Sequence, residues 1–169
     1  MNVRDYLRGH RVPFEVLLHR PAPSAAKLAS TVHVPGRCVA KSVLLRVGSE
    51  YVLAVLPATH KIDFDRLRHA LGVAYVELAQ AEELERVFFD CQPGALPPLG
   101  KGYGVKTVVD ASLVGVPEIL FKGNVRHEGV WMRFSDYEAI EAPEKAQFAE
   151  AIAPRRKKPV ETRARKKVG

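Results

Sequence analysis

The chain has 169 residues, of which 47% are hydrophobic and 27% charged, a globular composition with enough length for one domain and a proper core. Its two cysteines, Cys38 and Cys91, form no CxxC or CxxH pattern, which argues against a zinc site or a disulfide framework and fits a reducing compartment. The net charge of +7 is unevenly placed: from Pro154 onward there are eight Lys/Arg and one acid, while residues 1–153 carry 18 basic and 18 acidic residues. The basicity is thus expected to belong to a tail.

"MNVRDYLRGHRVPF" has no apolar core, so no signal peptide is expected, and no apolar run approaches the roughly 18 residues of a membrane span. A cytoplasmic protein is expected. A short helix is predicted from Arg4 to Gly9 with Asn2 near its cap, then a strand over Phe14–His19. Ser24 is a plausible N-cap for "AAKLASTVH". "CVAKSVLLRV" and "YVLAVLPA" read as two strands of a hairpin turning at Gly48-Ser49-Glu50. Asp63 caps "FDRLRHAL", with Gly72 at the expected stop. "VAYVEL" reads as a strand, "AEELERVF" as a helix, and "VKTVVD", "EILFKG" and "VWMRF" as three more strands. Ser135 caps a last helix, "DYEAIEA". The mixture predicts one α+β (mixed α/β) domain, in which the hairpins imply antiparallel pairing.

Four features could carry chemistry. Lys41 stands in a run that is apolar on both faces. It reads either as a side chain snorkelling past a strand end or as a cation held at a cleft for a phosphate or a developing negative charge. "GALPPLG" (Gly94–Gly100) is a stiff loop, because proline supplies a carbonyl but no N–H. It is either a structural turn or a frame that aims the Gly94 carbonyl at a water molecule. His127 lies between two strand-like runs and reads as an exposed histidine or a pocket residue. The tail residues Arg155, Arg156, Lys157, Lys158, Arg163, Arg165, Lys166 and Lys167 read as a solubilising end or as a tether for a polyanion. The histidines show no HxxxH or HExxH spacing, and neither GxSxG nor a P-loop occurs, so no metal and no cofactor are expected.

Taken in order, "HRP" before Ser24-Ala25-Ala26, "VPGRCVAKSVLL", "DFDRLRHALG", "GALPPLG" and "TVVDASLVGVPEILFKGNVRHEGVWM" resemble the YbaK/prolyl-tRNA synthetase-associated family of aminoacyl-tRNA editing domains. The resemblance covers about residues 10–140. It implies a YbaK-like fold over residues 1–153, with a central, largely antiparallel mixed sheet flanked by short helices, and leaves 154–169 as a basic tail outside it. It implies hydrolysis, in trans, of the ester on a mischarged tRNA, with alanine or cysteine on the tRNA for proline as leading candidates. By the same resemblance Lys41 matches the essential lysine that contacts the phosphate and ribose of the terminal adenosine. Gly94 and Pro98 match the Gly-x-x-x-Pro loop. His127 falls near a pocket position, and Ser42 stands where threonine is commoner. The implied partners are aminoacyl-tRNA and a synthetase in transient complex. A non-catalytic tRNA- or protein-binding module, and a hydrolase of another small aminoacyl ester, are the alternatives.

Overall fold

In a computed structural model that describes residues 1–153, helix α1 (Val3–Gly9) opens the chain. The Asn2 side chain accepts from the Asp5 N–H at 3.2 Å, and Val3 and Leu7, one turn apart, point into the core. Strand β1 (Glu15–Leu18) follows, then α2 (Ala25–Thr31). Ser24 caps α2, its Oγ accepting from the Lys27 N–H at 3.1 Å.

Strands β2 (Ala40–Val47) and β3 (Glu50–Pro57) form the expected hairpin, paired from Ala40↔Pro57 to Val47↔Glu50. Gly48, at φ 63°, takes the left-handed turn position that a side chain would resist. Next come β4 (His60–Ile62), α3 (Phe64–Leu71), β5 (Glu77–Leu78) and α4 (Ala81–Val87). Asp63 caps α3 by accepting from the Asp65 and Arg66 N–H groups, and Gly72 ends it in the left-handed conformation. The chain continues through β6 (Lys106–Asp110), β7 (Glu118–Lys122), β8 (Glu128–Arg133), α5 (Phe134–Glu141), β9 (Glu144–Ala146) and β10 (Ala149–Ala151).

The main sheet has the order β5-β2-β3-β6-β9. Its β5/β2 and β2/β3 pairs are antiparallel, and its β3/β6 and β6/β9 pairs are parallel. A second, antiparallel sheet has the order β1-β8-β7, and β10 pairs with β4. The molecule is therefore a mixed α+β domain in which the largest sheet is half parallel. Alternation along the central strands divides the core. Leu44, Leu53, Val55 and Val109 pack towards Ile119, Phe121, Val130 and Met132 of the second sheet. Leu45, Ala54, Leu56 and Val108 pack on the other side with Leu67 of α3 and Phe148.

Three local expectations are corrected. "VAYVEL" shrinks to the two-residue strand β5, with Tyr75 exposed, because the chain meets β2 only at Leu45 and Arg46. Helix α5 begins at Phe134, one residue before the expected cap at Ser135. Arg133 occupies the N-cap position and makes no side-chain cap bond. The short strands β4, β9 and β10, which carry no period of their own, were not visible in the pattern. The basic tail lies outside the described residues.

Glu141, at the end of α5, is buried and accepts from the Lys101 N–H at 2.9 Å and from the Thr107 hydroxyl, while its Oε2 has no partner among the described residues. Burial raises its pKa above 4.5 despite these bonds. Between 4.5 and the folded pKa the native state holds the extra proton, so this carboxyl weakens the fold as the pH rises through that window. Glu141→Gln, compared with the parent chain by denaturant melts, is therefore expected to gain relative stability as the pH is raised from 4 to 7. A difference that does not vary with pH would contradict this.

Candidate active site

Two walls of the site come from the stretch that leads into the main sheet. Ala40, Lys41 and Ser42 open β2, and Pro23, Ser24 and Ala25 form the entry to α2. Gly94 and Leu96 supply a third wall and Lys122, the last residue of β7, the fourth. Together these nine residues line a cavity of about 240 Å³. A parallel bridge from Val39 to Leu120 ties the start of β2 to β7, which brings Lys41 and Lys122 to one place. Strand β5 reaches only the far end of β2, so no strand of that pair covers Lys41.

Lys41 pairs across the hairpin with Leu56, and its ammonium donates to the His60 carbonyl. Half-burial pulls its pKa below that of an ordinary lysine. Ser42 Oγ is buried and has no hydrogen-bond partner among the described residues, which leaves a hydroxyl available at the cavity wall. Gly94 stands at φ 78°, and a Cβ there would lie 3.3 Å from the Pro23 carbonyl oxygen. Glycine is required on both counts: for the left-handed backbone and for the close approach of the two loops. Pro98 is buried behind the loop and does not line the cavity. It stiffens the frame that presents Gly94.

His127 lies in the exposed turn between β7 and β8, where its carbonyl accepts from the His19 N–H at 2.9 Å. It is not among the residues that line the cavity. Lys122, which sequence reasoning passed over, is. Its ammonium donates to the carbonyls of Ala22 at 2.6 Å and Gly94 at 2.8 Å, and the residue is only 6% exposed. Burial, and then the nearby Arg126 charge, pull its pKa down. Its signal was the one that singled out Lys41, a lone lysine in an apolar run, here directly after Ile119-Leu120-Phe121.

Among the described residues no Asp or Glu lines the cavity, so two ammonium groups dominate its field and favour an anion or a developing negative charge. The balance of residues 1–153 conceals this. Residues 16–49 hold Arg20, Lys27, Arg37, Lys41 and Arg46 and not one acid, and two of the cavity walls come from that stretch. The expectation that basicity resides in the tail alone is thereby corrected. Among the described residues, no group of three or more His, Cys, Asp and Glu side chains could hold a metal ion. Nor is any helix long and apolar enough to cross a membrane.

The aminoacyl-tRNA editing domain profile matches residues 19–140, which include every wall of this cavity. The chain belongs to the aminoacyl-tRNA editing domain family. It is 35% identical over 92 residues to a proline–tRNA ligase of Geobacillus thermodenitrificans, and 33% identical over 92 residues to that of Geobacillus kaustophilus. Each match covers 54% of this chain and 16% of the ligase, so the editing domain corresponds to a small part of those relatives. The fold matches a solved structure described as "a putative trans-editing enzyme for prolyl tRNA synthetase" with a TM-score of 0.76 at 19% identity, covering 88% of this chain and 95% of the other. It also matches the hypothetical protein APE2540, with a TM-score of 0.79 at 17% identity, over 88% of this chain and 99% of that one.

Proposed function

We propose that this editing domain acts in trans on mischarged tRNA, with Lys41 and Gly94 as its catalytic pair and alanine or cysteine on the tRNA for proline as its first substrates. The observation that carries the reading is that Lys41 and Gly94, far apart in sequence, line one small cavity. The aminoacyl ester is a labile bond. What hydrolysis needs is a positioned water and stabilisation of negative charge, and correct placement alone can contribute up to about 7–11 kcal/mol. Lys41 holds the terminal phosphate and ribose as a point charge. The Gly94 carbonyl has two lone pairs; Lys122 takes one, and the other orients the attacking water. Ser42 offers its unpartnered hydroxyl to the substrate. Pro98 keeps the loop in place, and His127 contributes from the turn outside the cavity.

Size supports a small acyl group: the cavity, about 240 Å³, falls below the roughly 300–1,000 Å³ of typical ligand pockets. A synthetic site built for proline discriminates against a smaller side chain by only about 1–3 kcal/mol per methylene, and a second, small site completes the double sieve. Action in trans is supported by the likeness of nearly the whole described domain to the solved structure described as a trans-editing enzyme.

The test is a panel of mischarged tRNAs, each assayed for release of its amino acid. Release from alanyl- or cysteinyl-tRNA for proline, well above spontaneous hydrolysis, is expected. No release from any member would reject the deacylase reading in favour of a binding module. Competition by uncharged tRNA separates an RNA-directed enzyme from a hydrolase of small aminoacyl esters.

The tail from Arg155 to Lys167 is proposed to supply part of the RNA affinity, beside the basic stretch of the fold. Each phosphate contact contributes about 0.7–0.9 to the slope of log affinity against log salt. Deleting residues 154–169 is therefore expected to weaken tRNA binding at low salt and to flatten that slope. Unchanged binding across a salt series would assign the tail to solubility.

A further inference from the structure

Lys122 sits at a junction that the reaction described above does not explain. The end of the β7–β8 hairpin already docks both loops of the cavity through the backbone. The Asn124 carbonyl accepts from the Gln92 N–H at 2.8 Å, and the Arg126 carbonyl accepts from the Ala22 N–H at 3.1 Å. The Arg126 N–H in turn donates to the Gln92 side-chain oxygen at 2.9 Å. These bonds fix where the loops lie. They bring Gly94 to the cavity, and its peptide plane is held at one point only, by the Ala95 N–H that donates to the Gln92 carbonyl at 2.9 Å, which leaves rotation about that bond to be limited by what the Gly94 carbonyl itself accepts.

The Lys122 ammonium supplies the second hold on this peptide, at the carbonyl end. It joins the Gly94 carbonyl to the Ala22 carbonyl through two bonds from one nitrogen. A buried ammonium is an expensive way to join two loops, since its effective desolvation penalty is several kcal/mol and an apolar side chain often does as well for stability. Its presence is accounted for by direction: a charge-assisted bond sets an acceptor's orientation more tightly than apolar contact.

We propose that Lys122 is a positioning residue that aims the Gly94 carbonyl into the cavity, so that the water held there is aligned for attack. The proposal rests on the reading that Gly94 orients the water. It assigns to Lys122 no contact with the substrate. Its third N–H is not required for this role.

The test compares Lys122→Met, which removes every donor, with Lys122→Arg, which keeps the charge and several donors, in the full chain. The substrate is the mischarged tRNA that the parent cleaves fastest. For Lys122→Met the expected result is a fall in kcat of roughly 100-fold, the scale of a displacement of about 1 Å, with KM within about twofold. Lys122→Arg recovers part of the lost kcat. A folded Lys122→Met variant with parental kcat would overturn the proposal, as would one in which only KM rises, since that assigns Lys122 to substrate binding. Should the Met variant not fold, Lys122→Gln, which retains amide donors without charge, takes its place, and parental kcat there overturns the proposal equally.

Amide hydrogen exchange separates failure of this proposal from failure of the deacylase reading. In the variant the amides of Gly94 to Leu96 are expected to exchange about tenfold faster or more, while those of α1 keep their rates. If the parent cleaves no mischarged tRNA, the deacylase reading fails while faster exchange still upholds the clamp. Unchanged exchange would overturn the clamp whatever the activity.

Discussion

Replacing Lys41 by methionine is expected to lower kcat/KM for deacylation by about 10²-fold or more, because the RNA terminus loses the charge that places its ester against the water. The fold should survive. Lys41 is half-buried, its stem packs at the start of β2, and methionine keeps that stem while relieving an ammonium of its desolvation. What the variant loses is the donor to the His60 carbonyl, on an edge that β10 and β4 already hold. The measurement pairs single-turnover deacylation with a thermal melt. Full activity in a folded variant would remove Lys41 from the mechanism. An unfolded variant would be replaced by Lys41→Arg, in which a guanidinium fork stands in for a point charge.

The pH dependence of the parent provides a second view of the same group. Burial lowers the Lys41 pKa below 10.5, so its charge is lost at a lower pH than that of a free lysine. Folding must bear the buried charge below the folded pKa. In the window between the folded pKa and 10.5 the unfolded chain binds more protons, so this contribution to stability improves as the pH rises.

Gly94→Ala has the next largest expected effect. The residue stands at φ 78°, a region that costs an L-residue about 1–2 kcal/mol. The new Cβ would also lie 3.3 Å from the Pro23 carbonyl oxygen, so the two loops must part by a few tenths of an ångström. Strain on this scale lowers the melting temperature by roughly 2–8 °C for a domain of this size. The kinetic effect is larger, because the carbonyl turned by the substitution is the one proposed to hold the water. A loss of kcat on the order of 10–100-fold is expected. A variant that melts earlier but deacylates at the parental rate would leave Gly94 a purely structural glycine.

Much of the local architecture was legible because its causes are local. Asn2, Ser24 and Asp63 cap their helices through side chains two or three residues from the amides they bind. Gly48 and Gly72 mark a turn and a helix end because both need positive φ. The hairpin register of β2 and β3 follows from two apolar runs and a short turn. Ser135 misled for the same reason: a good cap residue is common in sequence, and burial of Phe134 and Tyr137 set the start of α5 instead. The parallel pairing of β6 with β3 could not be read, since β6 follows from a distant part of the chain and its partner is chosen by packing.

The candidate site divides in the same way. An unusual residue in an apolar strand and a doubly proline-stiffened loop named Lys41 and Gly94 from the sequence alone, and the order of short motifs identified the family. Tertiary structure alone decided that these two meet, that His127 stays out of the cavity, and that Lys122 joins it. A sequence records which groups are available and which backbone conformations each residue permits. Which carbonyl a buried ammonium reaches depends on loops far apart in the chain, and those distances exist only once the two sheets have packed.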